Sequence, residues 1–419
     1  MADVDGKITL TGNPQGLSST QPYRVLMIAP TSFFADYGCH VRILEETRIL
    51  QQLGCEVTIC TYRTGQNQPD VDIRRTMAIP WRRDWEVGSS WHKITYDILL
   101  FMRSFTAMFQ VKPQIIHAHL HEGALIGYVL SRLWGIPFVF DFQGSLVNEM
   151  ADHKFISPKG RIYHWFRKME TMIDHFSPCI ITSSDNAANI LTQEFGCSYR
   201  QITCVPDCVN TKAFSRPEEP AVLARLRRAW NVPAGRKVVV YLGLLADYQG
   251  IPELLQAARQ VLTARDDVHF VIAGYPNIEL FRSMARDLGI LDHVEFPGRI
   301  RYQDAPRLLA IGDIAVSPKL SKTEGAGKLL NYMSMGLPTV AFDTPVSHEY
   351  LGEHGVYASC GDSSSFAKGI LELLADPDRC VQLGYALRRR AESAYSWEYA
   401  GRLILNTYAA LSRRQRKAS

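Results

Sequence analysis

The sequence has no uninterrupted apolar run of about 20 residues, the length a bilayer-spanning helix needs. Its most apolar helical stretch, Ile94 to Phe109, is broken by Asp97 and Arg103, so no transmembrane helix is expected. Residues 1–22 are polar and rich in Gly, Ser and Thr with no apolar h-region, which reads as a disordered leader and not a signal peptide. No Cys-x-x-Cys pair occurs among the nine cysteines, scattered from Cys39 to Cys380. That pattern suits a reducing cytoplasm, and with no second Cys/His pair in register beside Cys204 and Cys208, no metal site is expected. Excess charge is also scarce: the net is +4, and no basic stripe accompanies a nucleic-acid-binding motif, so nucleic acid is not an expected partner. The Gly-x-Gly-x-x-Gly fingerprint is missing after the first strand, which argues against hydride transfer on a dinucleotide.

What is present is a globular composition, 46% hydrophobic and 21% charged, over 419 residues. At roughly 100–200 residues per domain this chain divides into two. Short β-rich runs alternate with helical periods, the signature of parallel sheets. In the first half the strands are Tyr23 to Ala29, Glu56 to Thr61, Gln114 to Ala118, Pro137 to Phe142, Cys179 to Ser183 and Ile202 to Val205. A helix is expected over Val41 to Leu53, stopped by Gly54. After a proline-containing connection, 215–235, strands recur at Lys237 to Leu242, Val268 to Ala273, Val294 to Phe296, Ile314 to Ser317 and Pro338 to Phe342. The fold class is α/β, with two doubly wound Rossmann-like domains, 23–214 and 236–396, facing an interdomain cleft.

In open parallel sheets ligands bind outside the carboxyl ends of the strands, where helix N-termini present free N–H groups. The loops in question are PTSFFADYGCH with Gly38, QGSL with Gln143, GLLADYQG, GYPN and PKLSKTEGAGK. Glu324 stands in the glycine-rich EGAG just before KLLNYMSMG, so its carboxylate can meet sugar hydroxyls while nearby amides meet phosphate. A lone loop glutamate is more often simply solvated; the flanking glycines favour the site. Lys328 adds a point charge at the start of the following helix. His117, His119 and His121 alternate after an apolar strand and are expected on one strand face as packing, not as metal ligands. Two segments, IRRTMAIPWRRDWEVGSSWHK and HKFISPKGRIYHWFRK, interleave basic and aromatic residues and suit an anionic membrane surface.

In sequence order, GCHVRILEETRILQQLGCEV, HAHLHEGALIGYVLSRLWGIPFVFDFQGS, VPDCVNTKAF, VVVYLGLLADYQGIPELLQA, FVIAGYPN, VEFPGRI, EGAGKLLNYMSMGLPTVAFD and YSWEYA resemble the landmarks of glycosyltransferase family 4, from Tyr23 to about Tyr408. The resemblance implies the two-Rossmann-domain GT-B architecture, with a terminal helix, 397–413, returning to the first domain. It implies retaining, metal-independent transfer of a sugar from a nucleotide diphosphate sugar to an acceptor hydroxyl, with no cofactor. The acceptor is a glycan, lipid or small molecule, for instance a lipid or envelope glycan precursor, and the setting is cytoplasmic or peripheral at the inner membrane face. Glu324 and Gln143 take the catalytic positions. Gly38, Gly243, Gln249, Gly274, Tyr275, Arg299, Gly325, Gly327, Lys328, Leu329 and Asn331 take the donor-binding ones.

The chain departs from the family pattern at four polar positions. Gln143 replaces a histidine, Leu244 and Gln249 stand where an arginine and a lysine usually contact diphosphate, and Asn331 stands near the usual second acid, one residue closer in spacing. A charge-assisted hydrogen bond contributes about 1.5–3 kcal/mol, so other cations must substitute: Arg299, Arg301, Lys319, Lys322 and Lys328 are the candidates. The competing reading is a non-catalytic or weakly catalytic nucleotide-sugar-binding protein of the same fold, since fold does not imply function; an epimerase is a third.

Overall fold

The computed structural model describes residues 22–34, 38–78, 93–152, 160–217, 219–321 and 326–418. Within them lie thirteen named strands in two sheets. The first sheet contains Arg24–Ala29 (β1), Glu56–Thr61 (β2), Asp72–Arg75 (β3), Ile115–His119 (β4), Phe138–Phe142 (β5), Ile180–Thr182 (β6) and Ile202–Cys204 (β7). The second contains Lys237–Leu244 (β8), Val268–Tyr275 (β9), Val294–Glu295 (β10), Ile314–Ser317 (β11), Thr339–Phe342 (β12) and Val356–Ala358 (β13). Every recorded pairing between them is parallel, in the orders β3-β2-β1-β4-β5-β6-β7 and β10-β9-β8-β11-β12-β13. Both orders reverse direction beside their first strand, between β1 and β4 and between β8 and β11. Ligand crevices form at such switch points.

Central strands are apolar on both faces because helices cover both. β4 and β5 are buried along their whole length, and each sheet carries a hydrophobic cluster on either side. β3 and β13 are absent from the sequence reading. β3 is the edge strand DIRR, whose two arginines hide its period, and β13 is only three residues long.

The stretch 215–235, expected as a connection, contributes to the second domain's core: its helix Pro220–Ala229 buries Leu226, and Val232 is buried alongside. The chain passes between domains earlier, near Val209, which bridges in parallel to Ser396 where the chain returns. The terminal helix, Trp397–Ala418, buries Trp397, Ala400, Ile404, Tyr408 and Leu411 against the first sheet and the helix Gly38–Gln52.

Candidate active site

At the second switch point the loops from β8 and β11 approach one another closely. Gly250 holds a left-handed φ of 73°, and a Cβ there would lie 1.8 Å from the Pro318 carbonyl oxygen, so only glycine fits. Helix Gly327–Ser334 starts beyond β11, and Lys328 in its first turn reaches back to the end of β8. Its ammonium donates to Gln249 Oε1 (2.8 Å) and to the Tyr241 hydroxyl (3.0 Å), and sits 4.4 Å from the centroid of the Tyr241 ring. The Tyr241 hydroxyl in turn donates to the Leu244 carbonyl at 2.8 Å. Gly243 leaves room for this arrangement, because a Cβ there would come within 2.8 Å of Lys328 Nζ.

The structure therefore brings together Gly243, Gln249 and Lys328. Gly274 and Tyr275 end β9 beside them, Gly243 pairing with Gly274 across the sheet. The Arg299 guanidinium stacks on the Tyr275 ring at 4.7 Å, while Arg301 is tied to Asp304 at 2.7 Å. Leu329 is a core side chain whose amide bonds Ala326, and Asn331 lies half-buried on the same helix. Gln249 is itself 6% exposed and accepts from Lys328. Glu324, Gly325 and Lys322 lie outside the described residues, as does much of the basic-aromatic sequence around 79–92 and 153–159.

In the first domain Gln143 follows β5 and its amide donates to Asp141 Oδ2 at 2.9 Å and approaches His119 Nδ1 at 3.3 Å. Asp141, fully buried, also meets His119 Nδ1 at 2.8 Å and the Arg42 guanidinium at 3.0 Å, and Arg42 continues to Asp207 (2.8 Å) and Glu46 (3.0 Å). Burial alone raises the Asp141 carboxyl, but Arg42 and the His119 bond outweigh it and hold it below the usual carboxylate range. Burial also drives His117, stacked on His119 at 4.7 Å and bonded to the Tyr408 hydroxyl, down to about 3. Gly38 opens the helix that carries Arg42.

The expectation of three histidines on one strand face is corrected. β4 ends at His119, Leu120 takes a φ of 59°, and the chain enters helix Leu120–Trp134, so His121 packs elsewhere, edge-on to Phe140 and Phe142. Arg42, Asp141, Asp207 and Tyr241 escaped the sequence reading. The available signal was the run Arg42, Glu45 and Glu46 inside the helix expected over Val41 to Leu53; all three are buried.

Comparisons with known proteins followed the same division. The model described as Glycosyltransferase Family 4 matches residues 38–213, and that described as Glycosyl transferases group 1 matches 224–390. The chain is 22% identical over 392 residues to a D-inositol 3-phosphate glycosyltransferase of Corynebacterium aurimucosum, covering 89% of this chain and 90% of that protein. It is 29% identical over 205 residues to a GDP-mannose-dependent alpha-(1-6)-phosphatidylinositol monomannoside mannosyltransferase of Mycobacterium tuberculosis, 46% of this chain and 52% of that one. Among solved structures, sucrose-phosphate synthase from Thermosynechococcus elongatus superposes with a TM-score of 0.79 at 18% identity, over 95% of this chain and 100% of that one.

Proposed function

Because the chain belongs to glycosyltransferase family 4, with the GT-B arrangement of two Rossmann-like domains, we propose that it transfers a sugar from a nucleotide diphosphate sugar to an acceptor hydroxyl, the donor diphosphate lying at the second-domain switch point. The observation that carries this placement is the Lys328 ammonium, delivered by the first turn of a helix to the carboxyl end of β8 and held there by Gln249 and Tyr241. Leu244 and Gln249 replace the family's usual cations, and Lys328 brings a charge to the same corner from a different element. The start of helix Gly327–Ser334 adds the positive end of a dipole.

In the transfer, the bond from the anomeric carbon to the diphosphate oxygen breaks, and the bond to the acceptor oxygen forms on the same face. The acceptor proton leaves with the departing phosphate, so configuration is retained and no metal or cofactor enters the step. Glu324 orients the sugar, Gly325 and Gly327 admit the phosphates, and Gln143 contacts the sugar from the first domain with its amide oriented by Asp141. Arg299 and Tyr275 border the donor, and Gly38, the first residue of helix Gly38–Gln52, faces it from the first domain. Thermal-shift and nucleotide-release measurements across a panel of UDP-, GDP- and ADP-sugars test the reading. One donor is expected both to stabilise the protein and to release nucleotide with an acceptor. Stabilisation without turnover for every pair would replace transfer by binding alone.

The phosphatidylinositol monomannoside mannosyltransferase favours a lipid acceptor, and the D-inositol 3-phosphate glycosyltransferase favours a small phosphorylated polyol. No described helix is long and apolar enough to cross a membrane. Helix Lys93–Val111 nevertheless turns Ile94, Ile98, Met102 and Phe109 to solvent, each 56–60% exposed, and Ile162 and Trp165 project at 62% from helix Arg161–Phe176. Spaced by four, four and seven residues, the first set forms one stripe, suited to peripheral contact with the anionic inner face of a membrane. Flotation with anionic vesicles at low salt is expected to carry wild type and to lose Ile98→Glu/Met102→Glu; wild type left at the bottom would remove the membrane from the proposal.

A further inference from the structure

Two buried groups of imidazole and carboxylate side chains lie in the first domain, each with its ligating atoms within 4.8 Å of one another. Around Asp141 the Arg42 guanidinium already supplies positive charge. In the second group, His121, Glu170 and Asp174, no arginine or lysine among the described residues pairs with either carboxylate, and the imidazole is the group facing both.

His121 stands in the first turn of helix Leu120–Trp134, and Glu170 and Asp174 are one turn apart on helix Arg161–Phe176, so all three face one point. Glu170 and Asp174 are fully buried and His121 is 3% exposed. The His121 Nε2 lies 3.4 Å from Glu170 Oε1 and 3.5 Å from Asp174 Oδ1. Charge-assisted hydrogen bonds run shorter, at about 2.7–2.9 Å, and His121 Nε2 and both Asp174 oxygens have no hydrogen-bond partner. A separation near 3.4 Å is instead the edge of a tetrahedron whose centre-to-ligand bonds are about 2.1 Å, the length of zinc bonds to nitrogen and oxygen. A divalent cation that displaces the imidazole proton meets a neutral ring and two carboxylates, whose sum of −2 it cancels in a site walled by the edges of Phe140 and Phe142.

We infer that His121, Glu170 and Asp174 form a binding site for a divalent transition ion of the zinc type, structural and separate from the transfer step. The three residues supply three ligand atoms, one each, and solvent takes the fourth position. Glu170 also accepts from the Leu146 and Val147 amides at 3.2 and 2.9 Å, so the ion fixes the segment that follows Gln143 as well as the two helices. Second-sphere tethers of this kind orient loops without touching substrate.

The test uses the full chain purified without chelator. Elemental analysis after gel filtration is expected to return about one zinc per chain, and the Asp174→Asn protein less than about a tenth of that. Chelator-stripped wild type is expected to regain about 5 °C in Tm on adding zinc chloride, with Asp174→Asn unmoved. Cobalt in place of zinc should give a tetrahedral absorption band that the variant lacks. Wild type with no retained metal and no response to zinc or cobalt overturns the site, leaving an ion triad centred on a protonated His121. Equal metal in wild type and Asp174→Asn overturns it too, placing the ion elsewhere. If Asp174→Asn does not fold, the stripped and reloaded wild type still decides.

Discussion

At the scale of single residues, the proposed donor site turns on whether Lys328 acts through its charge. Among the described residues its ammonium meets two hydrogen-bond acceptors and an aromatic face, so it is positioned before any donor arrives. Lys328→Ala is expected to weaken calorimetric binding of the free nucleotide diphosphate by about 10–100-fold, the loss of one charge-assisted contact. Glu324→Gln is expected to lower turnover at saturating donor while leaving that binding nearly unchanged. Should Lys328→Ala bind as wild type does, the phosphate cation is Arg299, Arg301 or Lys322 instead. His117 supplies a pH prediction. Burial, and then the neighbouring His119, hold it at about 3 against an ordinary value of 6.5, with Asp141 pulling the other way and Arg42 adding to the depression. A base with a depressed folded pKa leaves the unfolded chain binding more protons, so its contribution is complete above pH 6.5 and is lost as pH falls toward 3. The slope is about 1.4 kcal/mol per pH unit in that window, on top of the carboxylates' own titration. Urea midpoints for His117→Asn, which keeps a polar group toward the Tyr408 hydroxyl, should fall less steeply between pH 6 and 4 than those of wild type.

At the scale of elements, helix Asp185–Gln193 is capped from both domains. Its own Ser184 hydroxyl accepts from the Ala187 amide, and the Glu349 carboxylate, carried by helix Pro345–Leu351 of the second domain, accepts from the Asp185 and Asn186 amides at 2.9 and 3.2 Å. A carboxylate at a helix N-terminus stabilises it, here across a domain boundary. Glu349→Ala is expected to cost about 1 kcal/mol in chemical denaturation, since the group is only partly buried, and to make the two domains unfold less cooperatively. Elements of this kind divide what sequence could and could not reveal. The long strands β1, β4, β8 and β9 were legible because β-branched runs buried on both faces have few other homes. β3 was not, its period of two being carried by arginines. Gly243 and Gly274 were legible as strand-end glycines. The Arg42–Asp141–Asp207 chain was not, because its members are 99 and 165 positions apart and meet only through sheet topology.

At the scale of the whole molecule, the two domains are joined by crossings that run side by side. The Val209 amide bonds the Tyr395 carbonyl at 2.9 Å, and Val209 bridges Ser396, so the outgoing and returning strands of chain form one short ribbon. Around it the contacts are small and polar: Glu349 on Asp185 and Asn186, and the Tyr350 hydroxyl 3.4 Å from Asp207. Tyr302, from the second domain, packs against the hydrophobic clusters of both. Two crossings at one place leave rotation about that place as the soft motion, and the polar contacts and the single packed tyrosine named here, among the described residues, resist it little. A donor bound to the second-domain switch point is therefore expected to draw the Gln143 loop toward it, and small-angle scattering with saturating donor should register a smaller radius of gyration. Linking Val209→Cys to Ser396→Cys should leave that contraction intact, because the axis itself does not open. Identical scattering with and without a donor proven to bind by calorimetry would mean that the domains are already closed, and that Gln143 reaches the sugar without any movement of the first domain.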